Sequence, residues 1–248
     1  NEVGRSACIL LAASLASREA GGAPLALIEI GPSAGLNLNF DRYHYDYGAG
    51  VLAGNPGSTC RITSDSRGTV SAEDLQMPEI ASQIGFDRNP LDVGDERDRR
   101  WLRALVWPEH NDRRLQLEAA LTIAQRDPPL LLGTDLFVAL PAVLAMVPAP
   151  AVPLVIATFV LHQFPPDLRG LFRSLLQDAG RKRPVYMVLF GFSEFAGGQR
   201  DKTTNASELW LLRFDASGAH SRRLAVAHPH GRWLEFNRDS PWRALPPH

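Results

Sequence analysis

Apolar residues in this chain gather in two kinds of run, and the two kinds alternate. Residues 25–30 (LALIEI), 129–133, 154–158 and 185–190 are short, nearly continuous apolar stretches rich in Leu, Ile and Val, the pattern of strands buried on both faces. Other segments repeat at helical spacing. Leu117, Ala120, Leu121 and Ala124 share one face of a helix predicted to begin near Pro108. Leu168, Leu171, Phe172, Leu175 and Leu176 follow an i, i+3, i+4, i+7, i+8 rule, with Arg169 and Arg173 opposite and Gly180 just past the end. Residues 2–20 have helical composition and stop at Gly21-Gly22. The tail offers residues 209–214, 223–227 and 232–236 as a closing antiparallel set. This order predicts an α/β fold: a doubly wound, mostly parallel sheet of about seven strands with a C-terminal antiparallel hairpin.

Two stretches interrupt the alternation. Residues 37–67, rich in Tyr, Gly, Asn, Asp and Ser, read as an insertion over the site, extending to about residue 81 and holding a small hairpin near Cys60-Arg61-Ile62-Thr63. Residues 136–161 contain no charge, yet Pro141, Pro148, Pro150 and Pro153 divide them into a short helix, a turn and a strand rather than a membrane span.

The whole-chain numbers narrow the partners. With 248 residues, 45% of them hydrophobic, one large domain is expected, and a net charge of −1 offers no electrostatic case for nucleic acid or an anionic membrane. A small-molecule or protein substrate fits better. The two cysteines, Cys8 and Cys60, have no C-x-x-C spacing, which suits a reducing cytoplasm.

Chemistry concentrates where the first strand ends. After Glu29 comes Gly31-Pro32-Ser33-Ala34-Gly35, whose glycines let a ligand approach the backbone. The turn has three readings. It matches G-x-S-x-G, the elbow that exposes a nucleophilic serine, for which His162 or His228 with Asp135 or Asp215 would complete a triad. It also resembles the acid-x-Gly-x-Gly-x-Gly loop of class I S-adenosylmethionine-dependent methyltransferases, with Ser33 at the middle glycine. The third reading is a tight turn that binds nothing.

The methyltransferase resemblance extends beyond the loop. It implies a Rossmann-like domain over residues 1–248 that binds S-adenosylmethionine through Glu29, Gly31, Ser33, Gly35, Asp87 and Asp135. Asp87, after Ile84-Gly85-Phe86, resembles the acid that takes the ribose hydroxyls, and Asp135 resembles the one near the adenine amino group. The stretch 154–164 resembles the strand and helix that carry the substrate face. An acid beside the loop suits a cofactor with a sulfonium and an ammonium and no phosphate. The departures are Ser33 itself and the spacing from Gly31 to Asp87, which exceeds the usual twenty or so residues and requires the insertion.

A closer resemblance runs over most of the chain. Asn1-Glu2-Val3-Gly4-Arg5-Ser6, Glu29 through Leu38, Asp41-Arg42-Tyr43, Gly85 through Asp92, Arg100-Trp101-Leu102 and Trp107-Pro108-Glu109 are similar to an uncharacterised bacterial family, the 2332 domain-of-unknown-function family. It implies a fold and a helical segment ahead of the Asn1 equivalent, which this chain is expected to lack.

Candidate proton acceptors for methyl transfer are His44, Tyr43 and His162. The segment Tyr43-His44-Tyr45-Asp46-Tyr47 reads either as an acceptor pocket or as a hairpin with paired aromatics. Trp101 and Trp107 read as core anchors in preference to a lid. His228-Pro229-His230 reads as a turn, because no third ligand stands at zinc spacing. Arg97, Arg99, Arg100, Arg103, Arg113 and Arg114 are nearly cancelled by Asp95, Glu96, Asp98 and Asp112, which suggests a solvated, salt-bridged face. The leading expectation is a small-molecule methyltransferase; the alternatives are a serine hydrolase using Ser33 and a non-catalytic binding module.

Overall fold

The computed structural model describes residues 2–198 and 205–245. In chain order its elements are α1 (Ser6–Glu19), β1 (Leu25–Ile30), β2 (His44–Asp46), β3 (Leu52–Gly54), β4 (Arg61–Thr63), β5 (Asp65–Ser66), β6 (Ile80–Phe86), α2 (Glu96–Ala104), α3 (Asn111–Arg126), β7 (Leu130–Leu132), α4 (Leu136–Met146), β8 (Val152–Thr158), α5 (Pro166–Gly180), β9 (Val185–Phe190), β10 (Ser207–Asp215), β11 (Gly218–Ala227), β12 (Trp233–Phe236) and β13 (Arg243–Ala244). A mixed α/β sheet of ten strands organises them, in the order β7-β6-β1-β8-β9-β10-β11-β12-β5, with β13 on β11. From β7 to β9 every pairing is parallel; β10, β11 and β12 then add on antiparallel. The expected closing hairpin is there, but the sheet has ten strands and not about seven, β5 and β13 being two that the pattern did not predict.

Helices cover both faces. The residues of α1 from Ser6 to Ser17 are all buried, as expected of a helix that is small and apolar all round. It shares one core with α3, whose Leu117, Ala120, Leu121 and Ala124 face inward as their spacing predicts. On the other face α4 and α5 pack through Leu136, Leu140, Leu144, Phe172 and Leu176. No helix among the described residues is long and apolar enough to cross a membrane. Pro141 lies within α4 instead of breaking it.

Several expectations need correction. Arg173 is buried and donates to the Phe195 carbonyl, so it does not lie on an exposed face of α5. Gly180 is the helix's last residue, where a Cβ would sit 2.6 Å from the Phe214 carbonyl carbon. Trp101 and Trp107 are 57% and 70% exposed; Leu102 and Val106 anchor that segment in their place. The arginine-rich stretch is ion-paired as expected, Arg99 and Arg103 to Glu96 and Arg103 also to Glu118, although Arg113 turns inward to Glu2.

The 37–81 segment packs mainly against α1, and Asn37 at its start reaches the strand ends. Three of its strands form a separate sheet, β3-β2-β4, in which β4 runs parallel to β2, while β5 joins the main sheet; the hairpin is β2–β3. Tyr43, Tyr45 and Tyr47 are buried, and their hydroxyls donate to the carbonyls of Leu36 (2.5 Å), Phe40 (2.6 Å) and Ala7 (2.8 Å). These three rings are the segment's core.

Candidate functional site

The chain passes from β1 to β6 and β7 on one side, then crosses back over β1 to β8 and β9 on the other. Where a parallel sheet reverses its direction of growth, the loops leaving the two adjacent strands diverge and open a crevice at the strands' C-terminal ends. Here that crevice is a cavity of about 900 Å³, within the range that holds a nucleoside-sized ligand.

The loop after β1 forms its floor. Gly31 (φ 67°) lies against the chain leaving β8, where a Cβ would come 2.8 Å from Val160 Cγ2. Ser33 holds φ 59°, a left-handed conformation costly for a residue with a side chain. A carboxylate holds it there: Asp87, just past β6, accepts the Ser33 N–H at 2.8 Å through Oδ2 and the Asn89 N–H at 2.9 Å through Oδ1. Asp135 accepts the Phe137 N–H at 2.8 Å and thereby caps α4. Both acids have structural duties, and both still line the cavity.

Glu29 is the unusual member. It is 2% exposed, Oε2 has no hydrogen-bond partner, and burial pushes its carboxyl up to about 7 against opposing contributions from an Asn37 hydrogen bond and the Arg5 charge. Asn37 is itself held, its Oδ1 accepting from the Ser6 hydroxyl at 3.0 Å. Arg5 faces the same cavity from just ahead of α1, with its guanidinium 4.2 Å from the centre of the Phe159 ring and its Nε donating to the Pro229 carbonyl at 3.0 Å. Burial lowers its pKa to about 10. Phe159, just past β8, has φ 52° and packs edge-on against Phe190, close enough to Gly191 that any side chain there would strike the ring. Strained non-glycine backbone of this kind clusters at ligand sites.

Of the nine sequence candidates, Glu29, Gly31, Ser33, Asp87 and Asp135 meet in this cavity. Gly35 does not line it; its bare α-carbon admits Pro129 and Leu131. Tyr43 and His44 are buried in the insertion, and His162 is exposed beyond the rim, so none of the three proposed proton acceptors lines the cavity. His228-Pro229-His230 makes a turn, closed by the Gly231 N–H on the His228 carbonyl, and among the described residues no three metal-binding side chains gather. Arg5, Asn37 and Phe159 were missed. The available signal was Arg5 itself, a cation immediately ahead of the uncharged stretch 6–17, where a charge needs a reason to be.

No curated protein matches the chain. Over residues 1–236 it matches the family described as "Uncharacterized protein conserved in bacteria (DUF2332)". That match spans α1, every parallel strand and the whole cavity, and the chain accordingly belongs to this bacterial family.

Proposed function

We propose that this chain binds S-adenosylmethionine in the crevice and directs its methyl group to a small-molecule acceptor. The observation that carries the reading is that Glu29, Asp87 and Asp135, which follow or end three neighbouring parallel strands, line one cavity at the reversal point of the sheet. Counted in chain order, the five parallel strands run 3-2-1-4-5, the order of a doubly wound Rossmann-like sheet, from which the antiparallel β10 then departs.

The donor set suits this cofactor. A buried acid with an unpartnered oxygen favours a cation and disfavours the pyrophosphate of a dinucleotide. Asp87 retains lone pairs for a diol after taking its two backbone donors. When bound, the cofactor supplies an electrophilic methyl group on sulfur. The chain's part is to bind, align and exclude water: Phe137, Phe164, Leu168 and Leu171 add apolar lining to the cavity. Two buried, unpaired thiols, Cys8 and Cys60, fit a cytoplasmic setting.

The serine hydrolase reading draws less support. No histidine is among the described residues lining the cavity, and the turn leads into the 3-10 segment Leu36–Arg42 rather than the helix an elbow requires. Calorimetric titration with S-adenosylmethionine and S-adenosylhomocysteine, with NAD as control, tests the proposal. Saturable binding of the first two alone is expected, weakened about tenfold or more in Asp87→Ala and only modestly in Ser33→Ala. No binding, together with fluorophosphonate labelling that Ser33→Ala abolishes, would replace the methyltransferase reading with the hydrolase one.

A further inference from the structure

Two opposite charges share the α1 side of the cavity without completing each other. Glu29 is buried with Oε2 unpartnered. Among the described residues, the one side-chain hydrogen bond of Arg5 is from Nε to the Pro229 carbonyl, and neither Nη group has a hydrogen-bond partner. No ion pair joins Arg5 to Glu29, yet each favours the charged form of the other across the gap. Burial works against both charges, and an ordinary core would bring them into contact or replace them.

Both groups are also held in place. Nε of Arg5 is tied to a carbonyl and the guanidinium plane lies on Phe159, so the free edge is that of the Nη groups. Glu29 is steadied by Asn37, whose amide is oriented by the Ser6 hydroxyl. Preorganised, desolvated, opposite charges that do not touch are complementary to a molecule with the reverse arrangement of charge.

We infer that Arg5 and Glu29 form a receptor for a zwitterion, the ligand's carboxylate meeting the Nη edge of Arg5 and its ammonium meeting Glu29, so that the molecule bound here ends in an α-amino acid group. The inference rests on the proposed cofactor for the rest of the ligand. It adds a residue outside the glycine loop and selects against nucleosides that lack the amino acid end.

The test titrates the full chain with S-adenosylmethionine, with its decarboxylated form and with 5′-methylthioadenosine, which lacks both charged groups. Wild type is expected to bind the decarboxylated form about 10- to 100-fold more weakly, the range for losing one charge-assisted hydrogen-bonded contact, and methylthioadenosine more weakly still. Arg5→Ala should lose the same factor toward S-adenosylmethionine and almost nothing toward the decarboxylated form, and Arg5→Lys should recover part of it. Equal binding of the two forms by wild type overturns the inference while leaving the cofactor reading intact. So does an Arg5→Ala loss equal for both ligands, which would mean that Arg5 acts only through the fold. Failure of wild type to bind S-adenosylmethionine at all removes the cofactor reading and this inference with it. Discrimination by wild type needs no variant, so the test stands even if Arg5→Ala does not fold.

Discussion

The three tyrosines of segment 43–47 and the charged pair Arg5 and Glu29 at the strand-end cavity are all polar groups drawn into the fold, and they differ in what they have left to do. Tyr43, Tyr45 and Tyr47 are fully enclosed and each hydroxyl donates to a backbone carbonyl. Burial holds all three phenols well above their ordinary range, so they stay neutral donors. In the cavity, Glu29 has an oxygen without a donor and Arg5 has donors without an acceptor. A polar group with its hydrogen bonds complete supports the fold; one kept buried with them incomplete costs stability that a ligand of matching chemistry would offset.

The contrast breaks most visibly at Tyr47. Tyr47→Ala removes a wholly buried ring from the contact between the insertion and α1 and is expected to cost about 3–5 kcal/mol, read as a fall in the denaturant midpoint. Should that loss be under 1 kcal/mol, the ring is not the anchor described above.

Glu29→Gln should move stability the other way. A carboxyl raised to about 7 from an ordinary 4.5 makes the folded protein bind its proton more tightly than the unfolded chain does. Its contribution is therefore most favourable below pH 4.5, declines as pH rises toward 7, and stays low above. At pH 8 the glutamine variant should be more stable than wild type by about 3 kcal/mol, with the difference vanishing near pH 4. Binding of S-adenosylmethionine should fall at the same time. A variant that is destabilised at pH 8 would show that Glu29 is satisfied within the fold.

Tyr47→Phe sharpens the same point, since it keeps the ring and deletes one hydroxyl. The Ala7 carbonyl loses the phenol as a donor, and thermal melts should register about 1 kcal/mol with ligand affinity unchanged. The smallest effect is expected at His162: it is exposed and outside the cavity, so His162→Ala should stay within about 0.5 kcal/mol of wild type and leave titration with S-adenosylmethionine unaltered.

Much of this was readable in the residues, for reasons that also explain the errors. The stripe on α3 and the buried runs of β1, β8 and β9 follow from periodicity, which depends only on local geometry. Glu29 stands out as an acid ending an apolar run, whereas Asp87 and Asp135 follow from the methyltransferase resemblance, which asks for acids after the next two strands. The tyrosines were ambiguous because sequence displays a hydroxyl but not its acceptor, and for Tyr47 that acceptor is Ala7, far off in the chain. Arg5 was passed over for the same reason. Its partners are a carbonyl at Pro229 and a ring at Phe159, and no local pattern connects the three.

Gly4 and Gly231 meet backbone to backbone: a Cβ on Gly4 would lie 2.5 Å from the His230 carbonyl oxygen, and one on Gly231 would lie 2.1 Å from that of Gly4. The wall that carries Arg5 is thus fastened to a turn more than two hundred residues downstream. A growing polypeptide emerging from the ribosome can pair β1 with β6 and β8 long before residue 231 exists, but it cannot yet seat that arginine. The seat of Arg5 is complete only when this late-made turn closes on the start of the chain, so a ligand that needs that arginine would report how far synthesis and folding have gone.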